Sequence, residues 1–388
     1  PARPSRWGMN RFTALLFLGS EGRGALETQV AAVRQSAALD AIELLGGLPT
    51  IERILGVTSE RAWAEAQAGL PVEWDFDPPD RPFHFGERLA GVIAHRRLSH
   101  VLYIGAGSIP LLTGDSLARA IEPLSEAGAP TAVTNNLHSS DWFAFNHADR
   151  VPALAHRLPK DNSLGWVLKT EAGFDVGALP PSASTRLDID TPADVLALGL
   201  QPVLPTHLRA SVTEFLRLHP SMWTRYLSAA RTLFRPGSQI VLAGRVASGV
   251  WAELERHTLA WIRVYSEERG MSASGRQEAG QVRSLLAAHL AAVGERRFFD
   301  ELAGMANAAF VDSRVILAHH RFWPSAADRY ASDVGEFEQI EDEFLRRFTQ
   351  AAVEASFPVV LGGHGVVAGG LYALLVASEA GALKGNDA

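Results

Sequence analysis

The chain contains no cysteine among its 388 residues. This absence excludes disulfides, thiolate metal sites and cysteine nucleophiles, and it fits a reducing cytoplasm, where we expect the protein to reside. Basic residues are also in the minority, because 36 Lys and Arg stand against 43 Asp and Glu and give a net charge of −7. We therefore expect neither nucleic acid nor an anionic membrane as a partner.

Long apolar runs are absent as well. No uninterrupted apolar stretch reaches the roughly 18 residues of a membrane-spanning helix, so we expect none. Residues 1–11 lack the apolar core of a signal peptide and are interpreted as a flexible tail. Apolar residues nevertheless make up 47% of the chain. Because its length exceeds that of one ordinary core, we expect two domains.

Short apolar segments alternate with helix-like segments along most of the chain. This alternation is typical of largely parallel sheets with helices on both faces. In the first half, strands are predicted at 12–18, 41–45, 72–76, 101–105 and 131–134. In the second half, they are predicted at 240–243, 261–265, 309–318 and 358–361. The sequence thus predicts an α/β fold with domains at 12–201 and 236–382, joined by a helical connector at 202–235.

The segment Leu187–Asp194 contains the signature of a helix start. Thr191 is suited to cap a helix, Pro192 suits the first helical position, and Asp194 stands where a capping box has its acid. The segment therefore predicts a strand that leads into a capped helix.

Two carboxylates precede that helix start. Asp188 and Asp190 are two residues apart on a predicted extended segment, so they point the same way while Ile189 points into the core. Such a pair at a strand end can hold Mg²⁺ together with phosphate and water. The alternative is that one of the acids only bonds the helix or a loop.

The sequence of residues 188–194, DIDTPAD, is similar to the end of MobA-like nucleotidyltransferase domains. Weaker similarity to that family extends over 103–112 and 161–185, and the resemblance covers about residues 12–200. It implies that the first domain is a Rossmann-like three-layer α/β/α sandwich of GT-A type. It also implies transfer of a nucleoside monophosphate from an NTP to a phosphate or hydroxyl of a small acceptor, with Mg²⁺ as cofactor.

The resemblance further implies a glycine-rich loop after the first strand, whose N–H groups and cation bind the triphosphate. Family members also have a lysine soon after this loop and a metal-binding aspartate in a Gly-Asp-x-Pro context. Here the first lysine is Lys160, and Ser108 stands in the place of the aspartate. Glu21, whose negative charge would repel a phosphate, also lies in the loop. The implied nucleotide contacts are Gly19, Ser20, Gly22, Arg23 and Gly24 in the loop, with Arg23 in a catalytic role, and Ser108.

Asn135, Asn136, His138 and Asp141 follow a predicted strand, where the family has its acceptor contacts. Asn-Asn is equally typical of an ordinary turn, which is the interpretation we favour.

No family resemblance covers the second domain, but polar residues follow its predicted strands. Since the carboxyl ends of parallel strands meet at one edge, we expect these residues to line one pocket. They are Arg245, Ser248, Glu267, Asp312, Arg314 and His364. Ser248 is predicted to cap the helix after the first strand, and Asp312 and Arg314 to share one face of the third.

His364 lies between glycines in Gly362-Gly363-His364-Gly365. Glycines allow close approach of backbone and ligand, so His364 is a candidate general base or metal ligand. The alternative is a histidine that bonds a backbone carbonyl.

Three functions remain open from the sequence. The first is NMP transfer, the second a catalytically degenerate nucleotide- or ligand-binding or scaffold protein, and the third an enzyme whose site surrounds His364. In each case the expected partner is a small molecule, namely a nucleotide or a sugar- or cofactor-like ligand. If the chain associates, we expect a homodimer.

Overall fold

The computed structural model describes residues 10–19, 22, 24–108 and 110–383. The chain divides into two compact units. Unit 1 is the described part of Pro1–Ser20 with Ala37–Pro180, and unit 2 is the described part of Glu21–Ser36 with Pro181–Ala388. This division differs from the predicted one, because residues 181–201 and the predicted connector group with the second unit. Of the predicted tail, residues 1–9 lie outside the described residues.

Unit 1 contains a mixed sheet. Its strands are β1 (Phe12–Leu18), β2 (Ile51–Thr58), β3 (Glu73–Phe76), β4 (Val101–Gly105), β5 (Thr131–Thr134), β6 (Trp142–Phe145) and β7 (Asp175–Ala178). They lie in the order β3-β2-β1-β4-β6-β5-β7, and all neighbours run parallel except that β6 is antiparallel to both β4 and β5. The helices before residue 180 are α1 (Ala25–Gly46), α2 (Arg61–Ala66), α3 (Phe85–Arg96), α4 (Gly114–Ile121) and α5 (Leu164–Glu171).

The predicted strand at 41–45 is wrong, because this segment is the last part of α1. Ala38, Ile42 and Leu45 recur at helical spacing and are fully buried in the core of unit 1. A short apolar run can therefore be one face of a helix as readily as a strand. The strand that follows α1 and pairs with β1 is β2, for which the sequence analysis predicted no strand.

Apolar side chains cover both faces of the seven-stranded sheet. On one face, Leu15 and Phe17 of β1 pack with residues of α3 and α5. On the other face, Ala14 and Leu16 pack with residues of α1 and α4. Two cores separated by a sheet define a three-layer α/β/α sandwich, so the predicted α/β class and its layers are confirmed.

Unit 2 contains a second, parallel sheet. Its strands are β8 (Gln239–Gly244), β9 (Trp261–Ser266), β10 (Ala308–Asp312) and β11 (Val359–Gly362). Their order is β11-β10-β8-β9. The chain thus adds β9 on one side of β8 and then adds β10 and β11 on the other. This reversal makes a topological switch point between β8 and β10, and the predicted second α/β domain is confirmed.

The helices of unit 2 are α6 (Ala183–Arg186), α7 (Pro192–Leu198), α8 (Thr206–Leu218), α9 (Pro220–Leu233), α10 (Ser248–His257), α11 (Leu285–Val293), α12 (Glu295–Ala303), α13 (Ser313–His319), α14 (Ala326–Val334), α15 (Glu343–Glu354) and α16 (Gly369–Glu379). The predicted connector consists of α8 and α9. Because α9 packs against β8, β10 and β11, it is part of the second core. None of the helices in the described part of the chain combines the length and apolar character needed to cross a bilayer.

The predicted strand at 309–318 ends earlier than expected. β10 stops at Asp312, whose carboxylate accepts the N–H of Arg314 at 3.3 Å and caps α13. Asp312 and Arg314 therefore do not share a strand face, and His319 ends a helix instead of a strand. The cause is local, because an aspartate at this position supplies the acceptor that a helix start needs.

Candidate functional sites

The capping box predicted at the start of α7 is confirmed. Thr191 is the N-cap, Pro192 is the first helical residue, and Asp194 completes the box. The Asp194 oxygen Oδ2 accepts the N–H of Asp190 at 3.1 Å, and the N–H and hydroxyl of Thr191 at 2.7 and 2.9 Å. Its other oxygen, Oδ1, is buried with no partner among the described residues. Asp194 is thus a structural residue that fixes the chain just before the helix.

Burial raises the pKa of Asp194 to about 7, and the charge of Asp190 adds to the rise against the hydrogen bonds that Oδ2 accepts. A carboxyl with a higher pKa in the folded state binds more protons there than in the unfolded chain, where the ordinary value is 3.8. The stabilisation by the neutral acid is complete at low pH, and we expect it to disappear as the pH rises from about 4 to about 7.

The replacement Asp194→Asn should remove this dependence, because the amide resembles the neutral acid. Urea titrations across that pH range should show wild type losing free energy of unfolding relative to Asp194→Asn as the pH rises. A difference that stays constant with pH would contradict the assignment.

Asp188 and Asp190 flank the buried Ile189 as predicted, with Asp188 half-buried and Asp190 exposed. The backbone here is fixed by distant residues. Arg34 donates to the carbonyl oxygens of Ile189 and, at 2.9 Å, Asp190, and the Tyr330 hydroxyl donates to the Asp190 carbonyl at 2.8 Å. The Asp190 carboxylate lies 3.8 Å from Arg34 and its side chain is 73% exposed. A solvent-facing carboxylate thus projects from an immobilised backbone.

These two aspartates provide the type of donor that Mg²⁺ prefers. Among the described residues of unit 2, no third acid or histidine lies near enough to complete a metal site with them. The donor set therefore fits a Mg²⁺ ion that arrives with phosphate and water ligands, and it does not fit a closed protein cage. The Arg34 guanidinium beside Asp190 would compete with such an ion.

The predicted phosphate loop is only partly described, because Ser20 and Arg23 lie outside the described residues. In the first turn of α1, the Glu27 carboxylate accepts the N–H of Gly24 at 2.7 Å. A β-carbon on Gly22 would lie 1.9 Å from Oε1 of Glu27. An internal carboxylate thus occupies the space beside the helix N-terminus, where a phosphate would have to bind.

In unit 1, Gly19 is exposed after β1, and Ser108 lies in the turn after β4. A β-carbon on Gly105 would lie 2.6 Å from the Ser108 hydroxyl and 3.5 Å from the Tyr103 hydroxyl. The Tyr103 hydroxyl donates to Asp161 at 2.8 Å. Burial, with the nearby Asp161 charge, raises the pKa of Tyr103 well above its usual range. The hydroxyls of Ser108 and Tyr103 thus both border the space beside Gly105.

The loop between β5 and β6 is organised by Asn135. Its amide donates to the Asp141 carboxylate at 2.5 Å, and its oxygen accepts the Asp141 N–H at 3.1 Å. These bonds lie within one loop, as expected for a turn.

At the switch point of unit 2, Arg245 and Asp312 form a bidentate pair. Nε and Nη2 of Arg245 donate to the two Asp312 oxygens at 2.5 and 3.1 Å. The Asp312 side chain is fully buried, whereas that of Arg245 keeps 17% exposure. Burial alone would raise the pKa of Asp312, but the charge and hydrogen bonds of Arg245, together with the charges of His364 and Arg314, lower this pKa. Asp312 thus orients a partly accessible guanidinium.

Two other residues predicted for this pocket bond elsewhere. Arg314 donates two bonds of 2.6 Å to Asp333, and both side chains are buried. Glu267 accepts the Ser284 hydroxyl at 2.5 Å and the Leu285 N–H at 2.7 Å, at the start of α11. These contacts link elements of the fold.

Ser248 does not cap α10 as predicted. The N-cap is Ala247, without a side-chain hydrogen bond, and the exposed Ser248 is the first helical residue. The first N–H groups of α10 therefore have no side-chain cap.

His364 follows β11, and its side chain is accessible to solvent. The surrounding protein lowers the pKa of His364 to about 4, and the charge of Arg245 lowers it by more than that of Asp312 raises it. A neutral imidazole at pH 7 can act as a base or as a hydrogen-bond donor.

The glycines around His364 allow close packing within unit 2. A β-carbon on Gly365 would lie 1.8 Å from Oδ1 of Asp194, and one on Gly363 would lie 3.0 Å from Thr191. Glycine is needed because this loop packs on the capping box of α7. Two motifs that the sequence assigned to separate domains are therefore neighbours in unit 2.

No protein-family profile matches the chain, and no curated protein matches it. Among solved structures, it is similar to a protein from Desulfovibrio desulfuricans assigned as a nucleotide-diphospho-sugar transferase. The identity is 14% over 56% of this chain and 99% of that chain, with a TM-score of 0.42. It is also similar to a cytidylyltransferase from Leptospira borgpetersenii, at 15% identity over 55% and 96% of the two chains and a TM-score of 0.39.

A third similar structure is 4-diphosphocytidyl-2C-methyl-D-erythritol synthase from Anaerococcus prevotii. The identity is 10% over 44% of this chain and 87% of that chain, with a TM-score of 0.29. Similarity at this level does not define an activity, so the function proposed below depends on the chain's own residues.

Proposed function

We propose that the chain binds an NTP with Mg²⁺ and transfers its nucleoside monophosphate to a small phosphorylated or hydroxylated acceptor. The observation that supports this most is the exposed Asp190 carboxylate on a backbone held by Arg34 and Tyr330. Such rigidity favours ligand binding, because less side-chain and backbone freedom is lost on association. Asp188 and Asp190 would hold the Mg²⁺, which when bound offsets the charge of the triphosphate.

The phosphate contacts would come from Arg23 and the N–H groups of Gly22 and Gly24. In the structure the Gly24 N–H is already bonded to Glu27. A phosphate at the same N–H groups would have to displace this carboxylate, since two anions repel each other. Binding of the triphosphate is therefore expected to move the Glu27 side chain away from the loop.

The decisive test is a thermal-shift series with ATP, CTP, GTP and UTP, each with and without Mg²⁺. At least one NTP should stabilise the protein only when Mg²⁺ is present, by about 2.7 kcal/mol at a ligand concentration 100 times Kd. Asp190→Asn should abolish this shift, because it removes one of the two carboxylates.

The matched control is Glu338→Gln, which removes one negative charge from another exposed position of unit 2. It should retain the shift. If no NTP shifts the melting temperature of the wild type, or if both variants respond alike, the proposal is wrong.

Two alternative functions each have an observation in their favour. The first alternative is a ligand-binding or scaffold protein without transferase activity. It is favoured because the Glu27 carboxylate is bonded to the predicted phosphate loop and because Ser108 stands where the resemblance implies an aspartate. The second alternative is an enzyme site at the edge of the second sheet, which is favoured by the accessible, neutral imidazole of His364. Mg²⁺–NTP binding without pyrophosphate release would support the first of these. Activity that is lost in His364→Ala but kept in Asp190→Asn would support the second.

A further inference from the structure

The loops after β8 and β10 lie at the switch point of the parallel sheet in unit 2. The chain continues from β8 towards β9, whereas β10 is followed in the sheet by β11 on the opposite side. The connections therefore diverge outside the carboxyl ends of these two strands, the position at which open α/β sheets commonly have a crevice. Ligands of open α/β sheets bind in such crevices.

Arg245 stands at this position with donors to spare. Asp312 occupies Nε and Nη2 of the guanidinium, and within the described residues nothing accepts a hydrogen bond from Nη1. Asp312 itself is buried, so Arg245 is the accessible member of the pair. The carboxylate thus holds the guanidinium in one orientation while Nη1 stays available to a ligand.

Two cations, Arg245 and Arg269, act on the imidazole of His364, together with the carboxylates of Asp312 and Asp190. The ten-residue helix α10 begins beside Arg245, and its first N–H groups lack a side-chain cap. These groups add a partial positive charge.

We propose that unit 2 binds the phosphate group of a small molecule at this switch point, with Arg245 and His364 as its contacts. A guanidinium fork, a neutral imidazole donor and free helix N–H groups together match the several acceptor oxygens of a phosphate. A carboxylate ligand would use fewer of these donors. The site is separate in its residues from the proposed Mg²⁺–NTP contacts.

Inorganic phosphate is the probe, titrated into the full chain by isothermal calorimetry at constant ionic strength, with chloride as the reference anion. The variants are Arg245→Lys, which keeps a cation beside the buried Asp312, and His364→Ala at an exposed position. Each should weaken phosphate binding by about tenfold or more, because a charge-assisted or donor contact is lost. Arg297→Lys and His289→Ala, on other exposed parts of unit 2, should leave the affinity unchanged.

If phosphate binds no better than chloride, the inference is overturned. It is also overturned if Arg245→Lys and His364→Ala, shown to be folded by circular dichroism, bind phosphate like the controls. Asp190→Asn should retain phosphate binding. If the wild-type chain binds phosphate but shows no Mg²⁺–NTP shift, only the proposed transferase function is rejected. If it shows the Mg²⁺–NTP shift but binds phosphate no better than chloride, only the phosphate site is rejected.

Discussion

Replacing Gly365 with alanine is expected to lower the free energy of unfolding by about 2–3 kcal/mol, which is the upper end of the range for substitutions that overpack a core. The new β-carbon would lie 1.8 Å from Oδ1 of Asp194 and 2.9 Å from its Cγ. Asp194 cannot swing away easily, because three hydrogen bonds hold its Oδ2 at the start of α7. Either the capping box or the loop that carries His364 has to shift.

Urea denaturation of Gly365→Ala measures this loss, and Gly304→Ala is the matched control. At Gly304 the nearest atom to a new β-carbon is 3.4 Å away, an ordinary contact, and φ is −70°. The double variant Asp194→Ala/Gly365→Ala tests the cause, since the glycine substitution should cost much less once the carboxylate is gone. An equal cost in both backgrounds would show that the loop does not depend on this contact.

The α/β class could be predicted because it depends on local patterns. Apolar segments of strand length, separated by helix-like segments, indicated both sheets, and Thr191 to Asp194 formed the capping box that their spacing suggested. The errors arose where local pattern is ambiguous. The apolar residues at 41–45 fit a strand or a helix face, and Asp312 was interpreted as part of a strand although an aspartate also ends strands by capping helices.

The sites were harder to predict because their geometry depends on contacts between distant residues. Arg34 reaches Ile189 across 155 positions of sequence, and Tyr330 reaches Asp190 across 140. No spacing within either segment signals such a contact. The capping box at Asp194 was visible in the sequence, but the loop that packs on it at Gly365 was not. This is why the sequence assigned the two motifs to different domains.

The predicted pocket in the second half illustrates the same limit. Sheet topology brought Arg245 and Asp312 together as expected for residues at the ends of adjacent parallel strands. It could not show that Arg314 would turn to Asp333, a residue that the sequence had not marked, or that Glu267 would cap α11. Strand ends predict which residues share an edge, whereas the partner of each side chain is decided by the helices that pack there.

Replacing Asp333 with asparagine is expected to cost about 3–5 kcal/mol of unfolding free energy, because it leaves a buried guanidinium without its counter-charge. Arg314 is 5% exposed and Asp333 is fully buried, and their two bonds are both 2.6 Å long. The exposed pair Glu214–Arg217 is the matched control, since Glu214→Gln removes a similar bidentate contact in solvent and should cost far less stability.

The substitution Asp333→Asn should also affect the proposed nucleotide site. Asp333 lies on α14, and the same helix carries Tyr330, whose hydroxyl holds the Asp190 carbonyl. Asp333→Asn is therefore expected to reduce the Mg²⁺–NTP thermal shift as well as stability, whereas Glu214→Gln should leave the shift unchanged. The apolar pair Arg314→Met/Asp333→Leu should recover much of the stability, because it removes both buried charges. If Asp333→Asn is as stable as Glu214→Gln, the buried pair does not hold α13 to α14.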